Sequence, residues 1–166
     1  MAGILKQVNR SNGGLPKRPI EGPVMLSMDR VDGDRWRNPV HHGGPLRAVL
    51  MASADFIDEL ARRGFPVYYG AIGENLTVSG LDPHMWRAGQ RYRVGQDAVI
   101  ELTKLRTPCA NLNAYGPATK AELYDAACKA GDITSPCWAN GGFYARVIRP
   151  GMIQAGDAVV LESDVA

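Results

Sequence analysis

Short apolar segments recur along the chain, and clusters of Gly, Pro, Asn or Asp lie near most of their ends. Segments of this length between turn-forming residues are typical of β-strands. The pattern predicts strands at residues 4–8, 24–28, 48–52, 91–94, 98–102, 143–148 and 158–162. This spacing favours an all-β barrel or sandwich over a parallel α/β sheet. The 19 glycines and 11 prolines among 166 residues likewise indicate many turns.

Two helices are predicted to interrupt the strands. The first covers residues 54–63, because Ser53 can cap its first amides and Gly64 can end it. The second is expected over residues 117–131, where apolar residues repeat at a helical spacing. Cys128 lies on or beside the apolar face of this second helix, so we expect it to pack in the interior as a small hydrophobic residue.

Length and charge limit the organisation and the partners of the chain. A chain of 166 residues predicts a single domain over residues 1–166. The formal net charge of +2 is too small to hold a nucleic-acid backbone or an acidic membrane by bulk electrostatics. The sequence contains neither a secretory apolar segment of about 7–15 residues nor an apolar run of about 20 residues that could span a bilayer. We therefore expect a cytoplasmic protein with no nucleic-acid or membrane partner.

The three cysteines are Cys109, Cys128 and Cys137, and no two of them form a C-x-x-C pair. This odd set suggests neither a disulfide framework nor a zinc knuckle, and it fits a reducing compartment. For Cys137 the sequence leaves two interpretations, packing or a secondary redox partner for Cys109.

Cys109 is the candidate reactive residue, in the segment Arg106-Thr107-Pro108-Cys109 that follows a predicted strand. A cysteine acts as a nucleophile or a metal ligand as its thiolate, which a nearby guanidinium stabilises. Arg106 could supply that guanidinium, and Pro108 stiffens the turn that presents the thiol. Taken alone, the pattern is weak, because a lone cysteine after a strand is more often a buried residue that fills space.

Two adjacent histidines precede a pair of glycines in the segment His41-His42-Gly43-Gly44. In an extended chain neighbouring side chains point to opposite faces, so one of the two imidazoles can face a given pocket. The glycines would let a ligand approach the backbone closely. The alternative is a hairpin turn with a surface histidine.

Two further polar pairs are candidate binding residues. Glu74 and Asn75 carry acceptors and donors that could read the edge of a heterocycle, or they could cap a loop. Lys17 and Arg18 form a short basic run between prolines that could meet a phosphate, or they could be ordinary solvated charges.

Seven short motifs follow one another along the chain: Pro16-Lys17, Gly33-Asp34, His42-Gly43-Gly44, Gly73-Glu74-Asn75-Leu76, Arg106-x-Pro108-Cys109, Gly141-Gly142 and Gly156-Asp157. In this order and spacing they resemble the MOSC domain family, named for the molybdenum cofactor sulfurase carboxy-terminal domain. The resemblance covers about residues 4–162.

The resemblance implies a mostly β barrel with a few short helices, similar to the small barrel domain of pyruvate kinase. It also implies a pocket for the molybdenum cofactor, a phosphorylated pterin whose dithiolene holds molybdenum. Cys109 matches the position that ligates the metal in family members that reduce substrates. The other residues that would line the cofactor pocket by similarity are Lys17, His42, Glu74, Asn75 and Arg106.

Among family members, the chain is most similar to small stand-alone bacterial MOSC proteins, which resemble the catalytic part of amidoxime-reducing enzymes. This implies a molybdenum-dependent reductase of small N-hydroxylated compounds such as hydroxylamino-purines and amidoximes. A cysteine-rich iron–sulfur segment found in some relatives is missing, so electrons would come from a separate protein. Two alternatives remain open: a sulfur carrier that holds a persulfide on Cys109, and a cofactor-binding or storage module without turnover.

Overall fold

The computed structural model describes residues 2–40 and 43–165, and most of its regular structure is strand. The strands are β1 (Ala2–Arg10), β2 (Arg18–Pro19), β3 (Val24–Leu26), β4 (Val49–Ser53), β5 (Leu76–Ser79), β6 (Arg91–Val94), β7 (Ala98–Leu105), β8 (Phe143–Arg149), β9 (Gly151–Ile153) and β10 (Ala158–Ser163). The α-helices are α1 (Ala54–Arg62), α2 (Pro117–Leu123) and α3 (Ala126–Lys129), and short 3-10 helices cover Pro45–Arg47, Pro83–Met85 and Ala110–Tyr115.

Seven of these strands form a closed barrel, in the order β1-β5-β4-β8-β7-β6-β10. The pairing of β10 with β1 closes it, with Ala2 opposite Val160. Closure leaves no free sheet edge in the barrel itself. β2 pairs with the far end of β1, and β3 and β9 form a separate two-stranded ribbon. The prediction of a mostly β barrel with a few short helices is confirmed.

β4 and β5 run parallel, whereas the other described barrel pairs are antiparallel. A parallel pair needs a crossover connection, and here α1 and the loop after it provide it. The Ser53 hydroxyl caps α1 by accepting a hydrogen bond from the Phe56 amide at 3.2 Å, and the helix packs through Ile57 and Leu60. Both parallel strands therefore begin at the same rim of the barrel.

Two clusters of buried apolar side chains make up the core. The larger one fills the barrel and includes Met51, Leu102 and Phe143. The smaller one packs α1 against the segment that leads into β5, and it includes Leu60 and Ile72. This second cluster supports one rim of the barrel from outside.

The single helix predicted over residues 117–131 is wrong, because the structure divides it into α2 and α3. Tyr124 between them is extended, with φ −164° and ψ 141°. The Asp125 carboxylate then caps α3 by accepting a hydrogen bond from the Cys128 amide at 2.8 Å. The expected burial of Cys128 is confirmed, since its exposed fraction is 3%.

Among the described residues, no helix has both the length and the apolar composition that crossing a bilayer requires.

Candidate functional site

One cavity opens at the rim where β5 and β8 begin and β7 ends, next to Met51 of β4. It is lined by residues of segments 14–17, 34–37, 43–50, 73–75 and 106–111 and by Tyr144. We call it the rim cavity. Because these segments are far apart in sequence, barrel closure is what brings them together.

The lining of the rim cavity is strongly basic. Asp34 is the one carboxylate among the described lining residues. The cationic side chains in the lining are Lys17, Arg35, Arg37, Arg47 and Arg106. Such an excess of positive charge in a concave site favours an anionic ligand, although the chain as a whole is nearly neutral.

Buried hydrogen bonds hold one part of this lining in place. The Lys17 ammonium lies 2.7 Å from both carboxylate oxygens of Asp34, whose exposed fraction is 1%. The Asn75 side chain donates to Asp34 Oδ2 at 3.0 Å and to the Asn9 carbonyl at 3.1 Å. Its own Oδ1 accepts a hydrogen bond from the Leu50 amide at 3.0 Å. The polar atoms of this region are therefore fixed by the barrel rather than free to move.

Glu74 belongs to the same set of bonds but lies behind the cavity lining. Its Oε1 accepts hydrogen bonds from the Gly70 amide and the Thr77 hydroxyl, and its Oε2 is buried without a partner. Complete burial raises the pKa of the Glu74 carboxyl to about 7. Asn9 donates to both the Glu74 carbonyl and Thr77 Oγ1 at 3.1 Å. We call these bonded residues the polar network: Asn9, Lys17, Asp34, Glu74, Asn75 and Thr77.

Arg106 is buried, with an exposed fraction of 4%. Its guanidinium donates to the Ile72 carbonyl at 2.8 Å and to the Gly141 carbonyl at 3.2 Å. These two hydrogen bonds use two of the guanidinium N–H donors. They also fix the orientation of the group, because a guanidinium presents its donors in a rigid fork. The cation thus stays in the lining as a permanent positive charge.

Cys109 lies three residues later, on what we call the cysteine loop, residues 106–111. Its thiol is free and partly exposed, and it lines the rim cavity. The 3-10 helix Ala110–Tyr115 follows directly, and the Leu112 amide donates to the Cys109 carbonyl at 3.2 Å. Leu112 is buried, so it anchors this end of the loop.

The other two thiols lie outside the rim cavity. Burial raises the pKa of Cys128, whose thiol lies 3.4 Å from the Ser135 hydroxyl. Burial also raises the pKa of Cys137 to about 11. Both groups stay protonated at neutral pH, which fits the packing predicted for Cys128 and the packing interpretation of Cys137.

The candidate residues from the sequence fall into three groups. Lys17, Asn75, Arg106 and Cys109 all lie in the lining of the rim cavity, whereas Glu74 lies behind it. His42, like His41, lies outside the described residues. Next to them, Gly43 lines the cavity at φ 79°, where an added Cβ would overlap the Trp36 ring.

Several cationic lining residues belong to none of the motifs in the sequence. Arg35 and Arg37 alternate around Trp36, a local concentration of positive charge that could have been noticed. Arg47 and Tyr144 stand in no comparable pattern, and their place in the lining follows from strand pairing.

The residues present fit an anionic ligand that carries a soft metal. A thiolate is a soft donor, and the cations around it can balance phosphate and sulfur anions. A phosphorylated, dithiolene-bearing molybdenum cofactor has these two properties.

A family model described as the MOSC domain matches residues 38–160 of this chain. The matched region contains the cysteine loop, Asn75 and strands β4 to β9.

Three curated relatives cover most of the chain. The uncharacterised protein YflK of Bacillus subtilis (strain 168) is 33% identical over 146 residues, which are 86% of this chain and 60% of that protein. Protein YiiM of Escherichia coli (strain K12) is 29% identical over 92% of this chain and 65% of that protein. A protein of Gibberella moniliformis named a reductase is 29% identical over 87% of this chain and 25% of that protein. The chain thus spans between 25% and 65% of the length of these relatives.

Two solved structures have a similar fold. The crystal structure of YiiM from Escherichia coli matches with a TM-score of 0.70 and 25% identity, over 100% of this chain and 72% of that one. YiiM from Geobacillus stearothermophilus matches with a TM-score of 0.68 and 25% identity, over 98% of this chain and 76% of that one.

Proposed function

Since this chain belongs to the MOSC domain family, we propose that it binds the molybdenum cofactor in the rim cavity and reduces small N-hydroxylated compounds. Hydroxylamino-purines and amidoximes are the substrate class. One observation carries the proposal: the free thiol of Cys109 opens into a cavity whose lining is strongly cationic. The relative from Gibberella moniliformis that is named a reductase supports an oxidoreductase activity.

Each part of the lining has a role in this proposal. The Cys109 sulfur is the protein ligand to molybdenum, because a thiolate suits a thiophilic metal. Arg35 and Arg37 are exposed arginines at the cavity and bind the cofactor's phosphate, for which the guanidinium geometry is favourable. Arg106 provides a fixed positive charge in the same lining as the thiolate.

The bound cofactor supplies the two-electron chemistry that removes the substrate's oxygen atom. The protein positions the substrate and sets the charge around it. Asn111 and Tyr144 lie in the cavity lining and are polar groups that can orient the N-hydroxyl compound. Each turnover consumes two electrons and two protons and releases water, so a separate electron donor is part of the proposal.

Metal analysis of three proteins tests the proposal. The wild type and the variants Cys109→Ser and Cys137→Ser are purified from cells supplied with molybdate, and molybdenum and pterin are measured per chain. Cys137→Ser is the matched control, because that thiol is also partly exposed but lies outside the cavity. We expect about one molybdenum per chain in the wild type and the control and at least about tenfold less in Cys109→Ser.

Activity is measured on the same samples as reduction of a hydroxylamino-purine, with reduced methyl viologen as the electron source. Turnover is expected in the wild type and in Cys137→Ser and is lost in Cys109→Ser. Sulfane sulfur on Cys109 without molybdenum would instead identify a sulfur carrier. Molybdenum and pterin without turnover would identify a storage module.

A further inference from the structure

A second concave surface lies next to the cysteine loop. It is formed by the end of β7, the first part of the cysteine loop, α2 and α3, and it encloses about 1070 Å³. The residues that define it are Lys104, Pro108, Lys120, Tyr124, Lys129 and Trp138, and we call it the lysine groove.

All charged side chains that line the lysine groove are positive. Its three lysines have no acidic counterpart among the described residues that line it. Two neighbouring carboxylates already have partners: Asp125 accepts hydrogen bonds from the Cys128 amide and the Ser135 hydroxyl, and Glu122 pairs with Arg63 at 2.8 Å. The groove therefore attracts an acidic partner.

Apart from the lysines, the lining is largely apolar. Leu105, Pro108, Tyr124 and the almost fully buried Trp138 contribute to it. The extended Tyr124 separates α2 from α3, and it also lines the groove. Apolar and aromatic residues in one surface together with charged groups are typical of a surface that binds another protein.

The lysine groove and the rim cavity lie on two sides of the cysteine loop. Thr107 and Pro108 line the groove, whereas Arg106 and Cys109 line the rim cavity. A substrate in the groove would not face the Cys109 thiol, which opens to the other side. An electron, in contrast, can reach Cys109 through the backbone, because Pro108 is its direct neighbour. The position of the groove thus suits a partner that supplies electrons.

We propose that the lysine groove docks an acidic electron-transfer protein that delivers electrons to the rim cavity. The proposal rests on the proposed function. Each turnover takes two electrons from the donor, which a one-electron carrier supplies in two successive docking events, and the substrate gains them. The N–O bond of the hydroxylamino group breaks, one solvent proton forms a new N–H bond, and a second leaves with the oxygen as water.

The test compares two triple variants with the same change in charge. The groove variant is Lys104→Glu, Lys120→Glu and Lys129→Glu, and its matched control is Lys6→Glu, Arg62→Glu and Arg149→Glu, three exposed cations outside both concave surfaces. Circular dichroism establishes that both variants fold. The probe is a plant-type [2Fe–2S] ferredoxin, an acidic one-electron carrier.

Binding of the ferredoxin is first measured by calorimetry on protein without cofactor, at low ionic strength. The dissociation constant is expected to rise at least about tenfold in the groove variant and less than about twofold in the control. Added salt is expected to weaken the wild-type complex, because exposed charges are screened. Equal affinity of the two variants, or no binding to the wild type, overturns the proposal.

Turnover of a hydroxylamino-purine is then measured with two electron sources. Reduced methyl viologen needs no docking surface, so it is expected to support equal rates in all three proteins, whereas the ferredoxin-driven rate falls in the groove variant alone. If viologen supports no turnover in the wild type, the proposed function fails, while the binding measurement still decides the docking proposal. If the groove variant also loses viologen-driven turnover, the groove holds substrate and the docking proposal is overturned.

Discussion

The polar network, which lies in and behind the lining of the rim cavity, is largely buried and densely hydrogen-bonded, whereas the cysteine loop is partly open to solvent. Asp34 and Asn75 are each at most 3% exposed, and each makes several side-chain hydrogen bonds. Thr107, Cys109 and Asn111 are exposed or partly exposed, and the loop is anchored through Arg106 and Leu112 near its ends.

This difference separates the residues that hold the rim together from the residue that can bind a ligand covalently. Removing one member of a buried network leaves its partners without hydrogen bonds, which costs stability. A cysteine whose thiol is partly exposed at a cavity can be replaced by another residue without such a loss of stability. Replacements in the two regions should therefore affect the free energy of unfolding very differently.

The largest expected effect comes from Lys17→Met in the polar network. The variant leaves the buried Asp34 carboxylate without its cation, and breaking a buried pair in this way costs about 4 kcal/mol. The control is Arg18→Met, which removes an exposed charge at the next position and should cost less than about 0.5 kcal/mol. Urea unfolding measures both values. Equal stability of the two variants would show that the network does not hold the rim.

The variant Glu74→Gln tests the polar network through the pH dependence of the free energy of unfolding. Burial raises the Glu74 pKa from its ordinary 4.5 to about 7, so between these values the folded state binds more protons than the unfolded state. Wild-type stability due to this group is therefore present at low pH and is lost as pH rises to 7, by about 3 kcal/mol in total. Gln does not ionise, so the stability of the variant relative to the wild type should increase by about this amount between about pH 4 and about pH 8. A difference that does not change with pH contradicts the assignment.

The smallest expected effect is that of Cys109→Ser on stability. Because the thiol is partly exposed, the replacement should change the free energy of unfolding by less than about 0.5 kcal/mol. Cys128→Ser is the comparison, and it should cost about 1 kcal/mol, since it places a hydroxyl where a buried thiol packs. Thermal unfolding of both variants measures the difference. If Cys109→Ser proves the more costly of the two, the cysteine loop is also a structural element.

Strands and helices that are marked by nearby turn or cap residues were predicted from the sequence. β6 has the predicted bounds, and α1 begins at the Ser53 cap as expected. β5 was missed because it is buried in the sheet next to a parallel neighbour and shows no alternation of apolar and exposed residues. The break at Tyr124 was missed although Asp125 is a common N-cap residue.

For the site, the sequence indicated which residue types take part, but it did not indicate which of their side chains line the cavity. Glu74 and Asn75 were expected in one pocket, yet the two neighbouring side chains bond to different partners in the bend before β5. Asn75 accordingly lines the cavity and Glu74 lies behind it. The contact of Asp34 with Asn75 joins residues 41 positions apart, and no local sequence pattern predicts a contact across that separation.

The two carbonyl contacts of Arg106 have a consequence for how an anion would bind. A free arginine side chain loses rotational entropy when a ligand immobilises it, at a cost of about 2 kcal/mol. The carbonyls of Ile72 and Gly141 already hold the Arg106 side chain, so this entropy is lost on folding and not on anion binding. The guanidinium is in this sense preorganised, and the affinity for an anion beside it depends on dehydration and charge rather than on ordering the side chain.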